Sequence, residues 1–480
     1  MVVELIAIPL VSAILITLIR DERWGAIIST SAISTLTPYL LIILLYCNVP
    51  FTERFIEVSI HGHVEYAFIL GIDSLNVVPL ITVTTLMPSI YLYSYDYMKH
   101  RIRELGEGSI KLYYILMLIN TSGILGVLLA HNMITFMSFY EFLVLTSCTL
   151  IYFFGYGNRG KISLTYLAWS LIGSLIILIG LASIYGYIGS FDFINFTPSY
   201  VLPSWVCYIT LIGFGIKMGA VGLHLWLPPA HSEAPTPFSS VLSPIIIGLG
   251  GYGILRVLKP FFTCYDFSLI LLIWGTASII YGGLAALIEN DIKRLLAYSS
   301  ISQVGYLLLT LSSCSITLST IAFSYHYLAH AYAKALLFLA AGALIYSLNN
   351  RDIRSIHGLL SKHKLVSIAF ISGFLSLAGL PPFAGFNSKL IVASMLLKSS
   401  IEYGYVEIHL MTLFALASTI LTLLYGIRAV RRVVFGPPLT TFSDDIPIAM
   451  KLSLIIIMML LIITSLVPHV VIGSISLAMD

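Results

Sequence analysis

Fourteen apolar runs of about 20 residues, separated by short polar stretches, occupy nearly the whole of this chain. About 20 apolar residues in helical conformation suffice to cross the hydrocarbon of a bilayer. The runs lie at roughly 2–19, 26–46, 69–93, 111–130, 132–154, 162–188, 205–226, 238–258, 268–288, 295–314, 320–346, 366–396, 408–430 and 451–474. Of the 480 residues, 58% are hydrophobic and 10% charged, whereas a soluble domain carries about 25% charged residues. Too few charges remain to clothe a water-facing surface, so lipid must solvate most of the molecule. The expected fold is an all-α polytopic membrane protein of about 14 transmembrane helices. The first run contains Glu4 and no cleavage-site pattern follows it, so it reads as a span and not a leader.

The loops sort by charge. Odd-numbered loops hold eighteen of the twenty-five Lys and Arg residues, among them Arg101, Arg159, Lys293, Arg351, Arg354 and Arg428. Even-numbered loops hold Arg54, Lys259 and Lys398. Basic residues collect on the cytoplasmic side of membrane proteins, so the odd loops are expected inside and both termini outside a cell membrane. A net charge of +3, spread over loops, excludes nucleic acid as a partner. The single glutamine, Gln303, is an amide depletion of the kind found in heat-adapted proteins.

Three spans carry helix breakers or unusual length. Span 7 holds Gly215, Gly219 and Gly222 and ends in Pro228-Pro229; span 12 holds Gly379, Pro381, Pro382 and Gly385; span 11 is unusually long. Interrupted backbone at membrane depth is tolerated only inside protein or beside a wet cavity, and paired broken helices mark inverted-repeat transporters. Spans 7 and 12 lie five apart, which predicts two inverted five-helix repeats, spans 4–8 (111–258) and 9–13 (259–430). Residues 1–110 then form spans 1–3, and 431–480 form span 14.

An ionisable side chain at mid-bilayer costs about 2.5–3.5 kcal/mol on insertion scales. Glu141 falls in span 5, Lys217 in span 7, Arg256 near the end of span 8, and Lys389 in span 12. Span 11 holds His326, His330 and Lys334, spaced i, i+4, i+8 on one helix face. Unpaired and lipid-exposed, these seven groups would cost about 20 kcal/mol together. They are expected to face one another and water as a polar file, for which a proton path is the simplest use. Each also has a plainer reading. Glu141 could be a structural partner of a lysine, either histidine a satisfied core residue, and Arg256 is expected to snorkel to the interface. Two histidines at i, i+4 without a third ligand do not make a metal site, and no cofactor is expected. Cys47, Cys148, Cys207, Cys264 and Cys314 show no Cys-x-x-Cys spacing and are expected to pack as small apolar residues. The run Gly248-Leu-Gly-Gly-Tyr-Gly253 matches a dinucleotide fingerprint but lies mid-span without a preceding strand, so close helix packing explains it.

Three segments resemble hallmarks of the antiporter-like membrane subunits of respiratory complex I, Mrp cation/proton antiporters and membrane-bound hydrogenases. They are Gly215 to Ser239 (with Lys217, His231 and Glu233), Asp291 to Tyr306, and Gly379 to Lys389. The resemblance covers about residues 70 to 430 and points to the medium-sized type, similar to the corresponding Mrp antiporter chain. It implies an ion-translocating subunit, moving H⁺ or Na⁺, with other integral membrane subunits, including paralogues, and a peripheral redox module as partners. It implies that Glu141 pairs with Lys217, that His326, His330 and Lys334 form a central link, and that Lys389 stands at the exit. Many relatives carry a lysine near position 248, where this chain has Gly248. A redox enzyme is disfavoured by the lack of a cofactor ligand set, though membership of a proton-translocating oxidoreductase stays open. A static scaffold has no cause to keep buried Lys217 and Lys389.

Overall fold

The computed structural model describes residues 1–60, 63–197, 202–262, 264–437 and 445–477. It is mostly helical. The chain begins with α1 (Val3–Thr17) and α2 (Glu22–Tyr46), followed by a hairpin of β1 (Phe51–Ile60) and β2 (His63–Ile72). Next come α3 (Val77–Leu105), α4 (Ile110–Leu129), α5 (Met133–Phe154), α6 (Arg159–Ile188) and α7 (Ser204–Met218). Short helices α8 (Leu227–Glu233), α9 (Thr236–Val241) and α10 (Ile247–Gly253) precede α11 (Cys264–Ile288), α12 (Ile292–Thr310) and α13 (Ile316–Leu348). The rest is α14 (Leu359–Lys362), α15 (Lys364–Ala378), α16 (Ala384–Tyr403), α17 (Val406–Ser418), α18 (Ile420–Val433), α19 (Ile448–Leu466) and α20 (Pro468–Leu477). Among the described residues, ten helical segments are long and apolar enough to cross a membrane.

Capping residues set many helix starts. Asp21, Ser109, Asn132, Asn158, Asp291 and Ser315 each accept a backbone N–H of the first turn with a side-chain oxygen. The two expected breaks are present and end alike. Gly219 and Gly379 both adopt left-handed backbone at φ 66° and 79°. The next residue's amide then bonds five residues back, Ala220 to Gly215 at 3.0 Å and Leu380 to Leu375 at 3.0 Å, the geometry of a glycine helix stop. At the first break, freed backbone finds protein partners. The Trp226 indole donates to the Ile216 carbonyl, the Trp274 indole donates to the Val221 carbonyl, and Ser278 accepts from the Val221 amide. Span 8 is interrupted by π-helical turns at Leu242–Ile246 and Ile254–Leu258, which sequence periodicity did not reveal.

Long α13 runs through the centre, its apolar window wholly buried, against α3, α9, α12, α15, α16 and α19. Small residues bring α11 and α12 together: a methyl on Gly305 would lie 2.4 Å from the Gly275 carbonyl oxygen. The glycines of 248–253 serve packing as expected, since methyls on Gly250 and Gly253 would strike Met218 and Phe214.

Three expectations are corrected. The fold is not purely helical: β1 pairs antiparallel with β2, Phe51 opposite Ile72, so residues 69–72 belong to a strand and the third span starts at Val77. Alternating pairing satisfies this backbone across strands, which a run of hydropathy cannot distinguish from helix. Cys314 is disulfide-bonded and so does not pack as a free thiol. Arg256 does not snorkel. It is buried and forms a forked ion pair with Asp73, one contact at 2.9 Å, and also donates to the Tyr252 hydroxyl.

Asp73 lies in the turn before α3, outside the spanning helices, and accepts from His131 at 3.1 Å. Burial alone would raise its carboxyl; the Arg256 guanidinium, then His131, hold it well below the usual carboxylate range. A carboxylate with a depressed folded value keeps its stabilising effect above the ordinary pKa of about 4 and loses it only in stronger acid. Arg256→Met is expected to lower the thermal unfolding midpoint in detergent strongly, because a lone buried charge costs about 3–5 kcal/mol. Adding Asp73→Leu to that variant should recover part of the loss; equal damage in single and double variants would contradict a coupled pair.

Candidate functional site

The six ionisable residues of the membrane interior form two separate groups. Glu141 projects from α5 and Lys217 from the last turn of α7, one residue before its break. Lys217 Nζ stands 3.7 Å from Glu141 Oε1 and 4.6 Å from the Tyr140 ring centroid. Neither atom of that pair has hydrogen-bond geometry. The ion pair is therefore a loose one, held by charge and by the face of Tyr140.

The second group is strung along facing sides of α12 and α13. Lys334 Nζ donates to the Leu296 carbonyl at 2.7 Å and to Ser299 Oγ at 2.5 Å. One and two turns towards the start of α13, the His330 and His326 rings stack at 6.1 Å with planes 10° apart. His326 Nδ1 meets Ser388 Oγ at 2.7 Å, and Tyr306 lies 5.5 Å from the same ring. Lys389, on the first turns of α16 after the second break, donates to the Tyr306 hydroxyl at 3.2 Å and sits 4.6 Å from its ring centroid. Gln303, His326, His330, Ser388 and Lys389 line one small void. Both nitrogens of His330, and Nε2 of His326, have no partner among the described residues. A buried polar atom left so needs an explanation, and a mobile proton or water chain supplies one.

Such a file can pass a proton between neutral imidazole, amine and hydroxyl groups, since each both takes and gives one. His326, His330, Lys334 and Lys389 are thus brought together, and Glu141 with Lys217. Between the groups the contacts are apolar. A methyl on Gly251 would meet Phe323, and one on Gly248 would lie 2.1 Å from the Tyr327 ring. Tyr327 fills the space a longer side chain at 248 would need, and its hydroxyl donates to the Ile245 carbonyl at 3.3 Å, beside the first π-helical turn. Sequence reasoning missed Tyr140, Tyr306, Ser299 and Ser388, which contact the lysines and histidines. The spacing Ser299, Gln303, Tyr306, a polar stripe at i, i+4, i+7, was the available signal. Among the described residues no His, Cys, Asp and Glu group has the makings of a metal site.

A family model described as "NADH:quinone oxidoreductase/Mrp antiporter, TM" matches residues 130–422, which include all six. The chain is 28% identical to the F(420)H(2) dehydrogenase subunit M of Methanosarcina mazei, over 68% of this chain and 66% of that one. It is also 28% identical to the NADH-quinone oxidoreductase subunit M of Rickettsia prowazekii, over 90% of this chain and 87% of that one. A chain of the Mrp complex from Dietzia sp. superposes with a TM-score of 0.86 at 20% identity, covering 99% of this chain and 95% of that one. With its buried lysines, paired breaks and this match across 130–422, the chain is a multi-pass membrane protein that belongs to the NADH:quinone oxidoreductase/Mrp antiporter family.

Proposed function

We propose that this chain is an ion-translocating subunit of a multisubunit energy-converting membrane complex, moving H⁺, or Na⁺ in exchange, through fourteen spans arranged as two inverted repeats. Spans 4–8 carry Glu141 and Lys217, and spans 9–13 carry the remaining four residues. The observation that carries this reading is the second group: four titratable side chains in one file, with three ring nitrogens that have no partner among the described residues. The matched stops of α7 and α15 support the repeats. The relatives' names, which are those of membrane subunits of quinone-linked and F(420)H(2)-linked dehydrogenases, support integral membrane partners and an attached redox module.

In this mechanism Glu141 holds Lys217 charged while the pair is closed. Opening the pair alters the field at the second group, and Lys389 releases its proton outward across Tyr306. Moving one charge against 100 mV requires about 2.3 kcal/mol. A change of one unit charge within a low-dielectric bundle is of that order or larger. A partner reaction that opens and closes the pair would thereby drive the ion.

The odd loops are proposed to be cytoplasmic. Cys314 supports this, because it lies in an even loop between α12 and α13 and is disulfide-bonded, as suits an oxidising compartment. Cysteine at Arg354 should be unreactive towards an impermeant thiol reagent in sealed cells, and cysteine at Lys398 reactive. Both parent side chains are more than half exposed, so the reverse pattern would invert the orientation.

Lys217→Ala should assemble yet lose most ion translocation. Lys389→Arg keeps the charge but cannot release a proton near neutrality, so it should block pumping nearly as fully as Lys389→Met. Both are read as pH change inside proteoliposomes of the whole complex. Near wild-type pumping in Lys389→Arg would leave a fixed-charge gate, and near wild-type pumping in both lysine-less variants would leave a static scaffold.

A further inference from the structure

The polar file does not stop at Lys334. On α12 it continues towards the odd-loop face as Lys293, one residue into the helix. The sequence places Lys293 in a loop, yet it is wholly buried. Its Nζ donates to the Ala234 carbonyl at 2.5 Å and lies 5.0 Å from the Tyr156 ring centroid. From Lys293 to Tyr306, thirteen residues of helix span about 20 Å, most of the hydrocarbon depth of about 30 Å.

His231, on α8, lies in the same region. Its ring is completely buried, 6.2 Å from Phe338 on the helix that carries Lys334, and neither ring nitrogen has a partner among the described residues. The positive charges of Lys334 and Lys293 both bear on it. Two residues further along α8, Glu233 pairs with Arg351 at 3.3 Å. Arg351 and Tyr156 line a cavity of about 610 Å³ on the odd-loop face, with Glu289, Asp291 and Asp352 on its walls. Arg351 also caps the Tyr156 ring at 4.4 Å. The chain of groups thus runs from a polar cavity through Lys293 and His231 to Lys334. The lateral way from Lys217, by contrast, meets Phe323 and the Tyr327 ring.

We propose that Lys293 and His231 form a proton inlet between the two repeats, feeding Lys334 directly from the cavity walled by Tyr156 and Arg351. This rests on the relay reading above and adds its point of entry. Each step moves one proton and changes only N–H and O–H bonds. The Lys293 amine takes a proton from cavity water and passes it to one bare nitrogen of His231. The imidazolium releases the proton on its other nitrogen to the Lys334 amine, and a ring flip or the reverse tautomer resets it. Glu141 and Lys217 then act on the file through their charge and not as its entrance.

The test uses the native complex with its co-purifying subunits, reconstituted in proteoliposomes, with Lys389→Met as a control. Lys293→Arg retains the charge and the hydrogen bond to Ala234 but cannot give up a proton; His231→Gln retains a hydrogen-bonding side chain of similar size. Both should translocate protons at least about tenfold more slowly than wild type, as a missing relay group does. A purely structural Lys293 would be rescued by arginine. Wild-type rates in Lys293→Arg alongside a dead Lys389→Met would overturn the inlet and leave the relay standing. Wild-type rates in all three would overturn the relay and the inlet together. If His231→Gln does not assemble, Lys293→Arg decides alone.

Discussion

Hydrocarbon solvates neither a free peptide group nor an ammonium ion, and each irregularity of this fold is placed where protein does what lipid cannot. The unwound residues after α7 rest on Trp226, Trp274 and Ser278, and the start of α16 on Ser376, whose hydroxyl accepts from the Gly385 amide at 3.3 Å. The same rule governs the charges. Arg256 finds Asp73, Lys217 finds Glu141, Lys259 finds the Leu311 carbonyl, and Lys334 finds a carbonyl and a hydroxyl. The contacts differ in tightness. Arg256 is gripped by two residues at hydrogen-bond distance, whereas Lys217 and Glu141 stand just beyond it. A tight forked pair fixes structure; a loose pair can open at little cost. The first suits an anchor between the β-hairpin turn and span 8, the second a switch.

The buried helix α13 makes the rest possible. Because protein surrounds it, it can carry His326, His330 and Lys334 without exposing any of them to lipid. Its partner α12 supplies the matching stripe, and the break before α16 brings Lys389 within reach of Tyr306. The break therefore ends one half-helix and begins the next close to the file, with a charged side chain in its first turns.

Much of this was legible in the residues. Glycine and proline at 215–229 and 379–385 mark both breaks, and the i, i+4, i+8 spacing places three span 11 groups on one face. What stayed hidden depends on contacts between distant parts of the chain. Asp73 and Arg256 are 183 residues apart, so Arg256 alone reads as an interfacial arginine. The hairpin at 51–72 escapes notice because its second strand merges into an apolar run. Lys293 follows an aspartate cap and sits beside Arg294, which reads as a basic loop; only the Ala234 carbonyl and the Tyr156 ring explain its burial. Likewise Gly248 reads as an omission until Tyr327 is seen in its place.

The central claim is that a titrating file, and not a set of fixed charges, carries the ion. Lys334 tests it most directly, being fully buried at the middle of that file. The measurement is protons translocated per partner turnover in proteoliposomes of the complex carrying Lys334→Arg. The account predicts an assembled complex whose ratio falls at least about tenfold, equivalent to about 1.4 kcal/mol of lost transition-state stabilisation. A wild-type ratio in an assembled Lys334→Arg complex would contradict it.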